Sequence, residues 1–160
     1  MAAKNSKMEL SEKATVMMKD IIMMFISGEE KIEVLRQFLV SNEFFDLYSA
    51  FNRIDRDQDG FISPLEFLNF FRDNGVTHLN EANCYFMVKF FDSDFDGKLH
   101  FADFMQMVLP CTNSKMRSEV TQRTAGGCKP DEYLTMDVEQ DLSRLLKMEA
   151  ELHDEVEPLK

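Results

Sequence analysis

Two stretches of twelve residues, DRDQDGFISPLE (Asp55 to Glu66) and DSDFDGKLHFAD (Asp92 to Asp103), carry carboxylates at their first, third, fifth and twelfth places. Each also has glycine at the sixth place and an aliphatic residue at the eighth. Oxygens spaced this way can converge on a hard divalent cation and replace its water shell with six or seven ligands. In the first stretch Asp55, Asp57 and Asp59 supply side-chain oxygens, and Phe61 supplies its backbone carbonyl. Ser63 stands where a ligand often acts through water, and Glu66 is long enough to close the site with both oxygens. Gly60 permits the sharp turn that brings early and late ligands together. Ile62 is placed to pair with its counterpart, Leu99, between the loops.

The second stretch repeats the scheme with Asp92, Asp94, Asp96, the Lys98 carbonyl and Asp103. It departs at the twelfth place, where aspartate is one methylene shorter than glutamate. Such a residue offers one oxygen more readily than two, which suits six-coordinate Mg²⁺ better than seven-coordinate Ca²⁺. The second site is therefore expected to be weaker for calcium, or magnesium-filled at rest. His100, at the ninth place, reads as a solvated side chain, with ligand and pH sensor as its alternatives. His78 and His153 have no partner at a telling spacing and read as surface residues.

The flanks must be helical to hold such loops. Leu47, Phe51 and Ile54 precede the first loop at the offsets that Cys84, Val88 and Phe91 occupy before the second. Phe67, Phe70 and Phe71 follow the first as Phe104, Met107 and Val108 follow the second. Ser41 is a candidate cap for the helix entering the first loop. Ser63-Pro64 restarts a helix after it, with proline where its missing N–H is harmless. Asn74-Gly75 is a C-terminal signal, Asn80 a further cap, and Pro110 a stop. Residues 42–110 thus read as helix-loop-helix twice, an internal repeat.

Ahead of this repeat, residues 1–9 read as a loose tail. One helix is predicted from Ser11 to about Ile26, with Ala14, Met17, Met18, Ile21, Ile22 and Phe25 at helical spacing. Ser27-Gly28-Glu29-Glu30 then resembles a cap opening a second helix to Val40, with Ile32, Leu35, Phe38 and Leu39 on one side. Met17, Met18, Met23 and Met24 are expected to pack as core against the lobe; the sharper alternative makes this helix a built-in target in the lobe's groove. Residues 111–133 are polar, contain Gly126-Gly127 and read as a linker. Thr135 caps a final helix within 134–160, where Val138, Leu142, Leu145, Leu152, Val156 and Leu159 form a heptad seam interrupted by Glu149. That helix either docks on its own lobe or serves as a partner-binding seam.

Composition narrows the function. Hydrophobic residues are 44% and charged residues 29%, the balance of a folded globular chain. A net charge of −11 disfavours non-specific nucleic-acid binding and favours cations or basic partners. Cys84, Cys111 and Cys128 are widely spaced and form no C-x-x-C, so free thiols in a reduced, cytoplasmic setting are expected. The run Ile21 to Ile26 is too short to cross a bilayer, which needs about 20 residues. No signal-peptide pattern is visible, Ala2 excludes N-myristoylation, and the C-terminal PLK carries no prenylation cysteine. Neither G-x-S-x-G, a phosphate loop nor H-E-x-x-H occurs, so no catalysis is expected.

On these residues, 42–110 resembles an EF-hand pair of the calmodulin superfamily. The first loop matches the family pattern throughout and the second departs only at Asp103. The resemblance implies an all-α, four-helix lobe that binds two calcium ions and opens to present a groove to an amphipathic helix of a protein partner. It does not cover 1–41 or 111–160, the N-terminal helical extension and the linker with its C-terminal helix. The leading expectation is a calcium sensor. The alternative is a structural subunit of a larger cytoskeletal or ciliary assembly, whose loops hold ions permanently.

Overall fold

The computed structural model describes residues 2–123 and 134–156, with side chains described for 11–123 and 134–154. The described residues form seven helices: α1 (Ala2–Ser41), α2 (Leu47–Ile54), α3 (Pro64–Asp73), α4 (Glu81–Phe91), α5 (Phe101–Val108), α6 (Ser114–Thr121) and α7 (Met136–Val156). Among them no strand occurs beyond a single antiparallel bridge, Ile62 to Leu99. The chain is all-α.

Local chemistry sets most boundaries. Ser63 Oγ accepts from the Glu66 N–H at 3.3 Å while Glu66 Oε1 accepts from the Ser63 N–H at 3.0 Å, a reciprocal cap that starts α3 at Pro64. Asn80 and Asn83 exchange the same pair of bonds at the start of α4. α3 ends at Asn74-Gly75, where Gly75 takes φ +77°, a conformation that favours glycine. Thr135 Oγ1 accepts from the Val138 N–H at 3.4 Å and opens α7. The cap of α2 is Asp46, not Ser41: its carboxylate takes the Ser49 N–H at 2.8 Å and the Ser49 hydroxyl at 2.6 Å. Ser41 instead closes α1, its hydroxyl donating to the Phe38 carbonyl at 2.6 Å.

Three expectations about the flanking segments change. α1 runs unbroken for 40 residues through Ser27-Gly28, where two helices with a tail before them were expected. Gly28 lies where α1 meets α7: a Cβ there would stand 2.6 Å from Leu152 Cδ1, and the Leu152 side chain would have to shift. The helix passes through this glycine and does not end at it. The methionine patch is not core, since Met17, Met18 and Met23 are exposed, Met18 to 62%. The core's grip on α1 starts at Phe25 and continues through Ile32, Leu39 and Val40, while Phe38 faces outward. Within the expected linker, α6 forms and buries Val120, capped by Asn113 through the Met116 N–H. Gly126, Gly127 and Cys128 lie outside the described residues, as do the side chains of Val156 and Leu159.

One core joins the repeat to these flanks. Phe51, Phe67, Phe70, Phe71, Met87, Phe104 and Met107 from α2–α5 are buried with Ile32 and Leu39 of α1 and with Val138, Leu142, Leu145 and Leu146 of α7. Each such side chain contributes about 1.5–3 kcal/mol on leaving water. α7 packs against α1 and α4, so of the two roles expected for the final helix, docking on its own lobe is the one observed.

Candidate metal centre

Both loops adopt the same backbone. Gly60 at φ +85° and Gly97 at φ +83° make the turn, and each donates its N–H to the second oxygen of the loop's first aspartate. Those bonds are 3.0 Å to Asp55 Oδ2 and 2.8 Å to Asp92 Oδ2. The carboxylates also order the loop itself. Asp59 Oδ1 takes the Phe61 N–H at 2.9 Å, and Asp96 Oδ1 takes the Lys98 N–H at 3.0 Å. Back to back, the loops are joined by Ile62 and Leu99, whose N–H and C=O groups exchange two bonds of 2.9 Å. Both side chains are fully buried.

In the first loop Asp55, Asp57, Asp59 and Glu66 bring four carboxylates within 4.8 Å of one another. Glu66 reaches back across the loop, its Oε2 taking the Arg56 N–H at 2.7 Å. Asp55 is only 3% exposed, and its Oδ1 accepts no hydrogen bond. Burial, then the Asp57, Glu66 and Asp59 carboxylates, push its pKa up to about 6 against the opposing Gly60 N–H. A buried carboxylate oxygen with no donor, set among like charges, fits a divalent cation, which would satisfy the lone pair and reverse the repulsion.

In the second loop Asp92, Asp94 and Asp103 come together in the same way, and the buried Asp92 Oδ1 likewise accepts no hydrogen bond. Asp103 takes the His100 N–H at 3.3 Å, and among the described residues no hydrogen bond runs from it to the start of its loop. His100 is not simply solvated. Its Nε2 lies 2.7 Å from Asp94 Oδ2 and 3.1 Å from Asp96 Oδ2, and its ring stands edge-on to Phe61 with centroids 4.7 Å apart.

Two ionic connections were not foreseen. Arg53, just ahead of the first loop, binds Glu139 of α7 at 2.6 Å and Asp73 of α3 at 3.1 Å while its guanidinium lies over Phe70. Asn74 adds a bond to Glu139 at 3.2 Å. Deeper in, buried Arg36 donates to the Met107 carbonyl at 2.9 Å and to Glu149 Oε1 at 2.6 Å. Glu149, fully buried, also meets His153 Nε2 at 3.2 Å, so His153 is an interior residue. His78, exposed as expected, pairs with Glu151 at 2.8 Å. The signal for the deeper pair was an arginine on the Ile32–Leu39 face of one helix and a glutamate inside the seam of another. Glu29 and Glu33 of α1 also reach Arg36, each at 3.4 Å, so the buried guanidinium is held by carboxylates of both helices.

Residues 44–109 match the family model for an EF-hand domain pair. That segment is thus similar to an EF-hand pair, a class of domain that carries calcium binding. Curated relatives include secretagogin of Bos taurus, 30% identical over 108 residues, and secretagogin of Sus scrofa, 29% identical over 108 residues. Each alignment covers 62% of this chain and 39% of the relative, so the chain spans well under half the length of the proteins it matches. No solved structure matches. Among the described residues no helix is long and apolar enough to cross a membrane.

Proposed function

We propose that this chain is a calcium-responsive regulatory protein with two ion sites. The first uses Asp55, Asp57, Asp59, Glu66 and the Phe61 carbonyl. The second uses Asp92, Asp94, Asp96, Asp103 and the Lys98 carbonyl, and holds Mg²⁺ when calcium is low. The observation that carries this reading is the buried, undonated Asp55 Oδ1 inside a four-carboxylate cluster. Bound calcium supplies the positive charge that the cluster lacks.

The rest of the response belongs to the chain. Arg53 ties the end of α2 to the end of α3 and to the first turn of α7. Any change in the α2–α3 angle strains that three-way contact, because one guanidinium cannot follow two separating carboxylates. Loosening α7 would uncover Leu142, Leu145 and Leu146 together with the α4 face they cover. That surface suits an amphipathic helix of a protein partner.

The test compares calcium-loaded and chelated protein by apolar-dye fluorescence and by backbone NMR shifts. Calcium should raise dye binding and move α7 resonances, and Glu66→Gln should suppress both. Full calcium occupancy of both loops with no change in either signal would rule out the sensor. The exposed Val16, Met17, Met18, Ile22 and Met23 of α1 favour a second reading. In it the chain is a subunit held permanently in a larger cytoplasmic assembly, of cytoskeletal or ciliary type, through α1. Recovery of the same partner with and without chelator would identify that case.

A further inference from the structure

One apolar seam runs along α1. Phe25, Gly28, Ile32, Leu35 and Leu39 stand 3, 4, 3 and 4 residues apart, and the same steps backwards reach Ile21, Met18 and Ala14. The first group is covered by α7, which runs antiparallel to it. Arg36 meets Glu149, Gly28 meets Leu152, and the Phe25 ring lies 6.2 Å from that of His153. Beyond that last contact the seam has no cover: Ile21 is half-buried, and Met18 and Ala14 are exposed. Met17, Ile22 and Met24 flank it and are exposed too. Charge is confined to the opposite stripe, where Glu12, Lys13, Lys19 and Asp20 cancel. A continuous apolar surface of this kind marks a contact with another molecule.

We propose that the occupant is a second copy of this chain, with two α1 helices paired antiparallel through residues 11–21 about a two-fold axis at Val16. Continuity with the α1–α7 interface favours it. A seam that an antiparallel helix already fills from Phe25 to Leu39 continues into a stretch that an antiparallel helix fits in the same way. In this register Met18 lies against Ala14 of the second copy, and Ile21 against Ser11. Large side chains then sit over small ones, which lets the helices approach closely. Charge sets the direction. The chain carries −11, and none of that excess lies in residues 11–26, so a parallel pair would set two acidic lobes side by side. The antiparallel pair holds the two Phe25 positions about 27 Å apart at 1.5 Å per residue. That is more than three times the screening length of about 8 Å. No loop residue takes part, so the pairing is independent of which ions the loops hold.

The experiment measures the mass of the full chain by light scattering at NMR concentration, in saturating calcium. Isotope-labelled and unlabelled chains are then mixed, and NOEs between copies are recorded by isotope filtering. A mass of two chains is expected, with a contact from Ile21 of one copy to Ser11 of the other. A parallel pair cannot make that contact, since it sets these residues about 15 Å apart. Met18→Glu should return the mass to one chain and leave calcium uptake unchanged. Val34→Glu, exposed on the same helix but away from the seam, should keep the pair. A single-chain mass for the wild type, larger species, a pair without the Ile21–Ser11 contact, or equal loss in both variants would each overturn the assignment. A single-chain mass would still leave α1 free to anchor the chain to a different protein, so the two readings fail separately. Contacts from Leu159 to Met18 within a single chain would show the seam filled from inside and would also overturn it. The wild-type mass and contacts are read without the variants, so they stand if a variant does not fold.

Discussion

In the first loop Glu66 folds back to the Arg56 N–H and closes the ring of carboxylates from its far end. In the second, Asp103 accepts the His100 N–H and joins Asp92 and Asp94, while the imidazole meets Asp94 and Asp96. The backbones are alike to the glycine torsions, and the buried first aspartate presents the same undonated oxygen in both. Among the places expected to face an ion, they differ by one methylene at the twelfth and by a ring in place of a hydroxyl at the ninth. The shared frame depends on backbone turns, whereas ion preference depends on the side chains that meet the ion.

The largest test of this contrast is Glu66→Gln. It should weaken calcium at the first loop about 100-fold while changing the second far less, as resolved by calorimetry of the two steps. Equal loss at both loops would dissolve the distinction. Acidity separates them next. The Asp55 carboxyl is raised from its ordinary value of 3.8 to about 6, so the folded chain without ions holds this proton more tightly than the unfolded chain. The stabilisation is complete below about pH 4 and is lost as pH rises through about 6. Thermal melts in chelator should show that decline. Asp55→Asn should flatten it, and saturating calcium should offset it above pH 6.

Much of this contrast was legible beforehand because loop ligands and caps are local. Asp55 to Glu66, Ser63-Pro64 and Asn80 act within a few residues of one another, so spacing alone carries them. What escaped was set by distance along the chain. Gly28 looked like a helix break, yet α1 continues through it and meets Leu152 of α7 there. His153 looked solvated because its partner Glu149 is buried by α1, more than a hundred residues earlier. The exposed methionines of α1 kept helical spacing without a surface to bury against, and periodicity does not report whether a partner face arrives.

Asp103→Glu is the third test, with an expected gain of about tenfold in calcium affinity at the second loop by calorimetry. An unchanged isotherm would show that the twelfth place is not what sets the two loops apart. The smallest expected effect is that of Phe61→Leu. It keeps the backbone carbonyl but removes the ring contact to His100, worth about 0.5–1.5 kcal/mol. Ion affinity should shift slightly at the second loop although the change is made in the first. No shift would mean the loops communicate only through Ile62 and Leu99.

α1 is one rod, and its root is clamped: Arg36 is fixed to the Met107 carbonyl of α5 and to Glu149 of α7. From Phe25 back to Ala2 the helix extends about 35 Å at 1.5 Å per residue. Tilting the root by about ten degrees would sweep the far tip through about 6 Å of arc. A sub-ångström readjustment among buried groups would then become a displacement large enough for a neighbouring molecule to register, in the manner of a pointer on a dial.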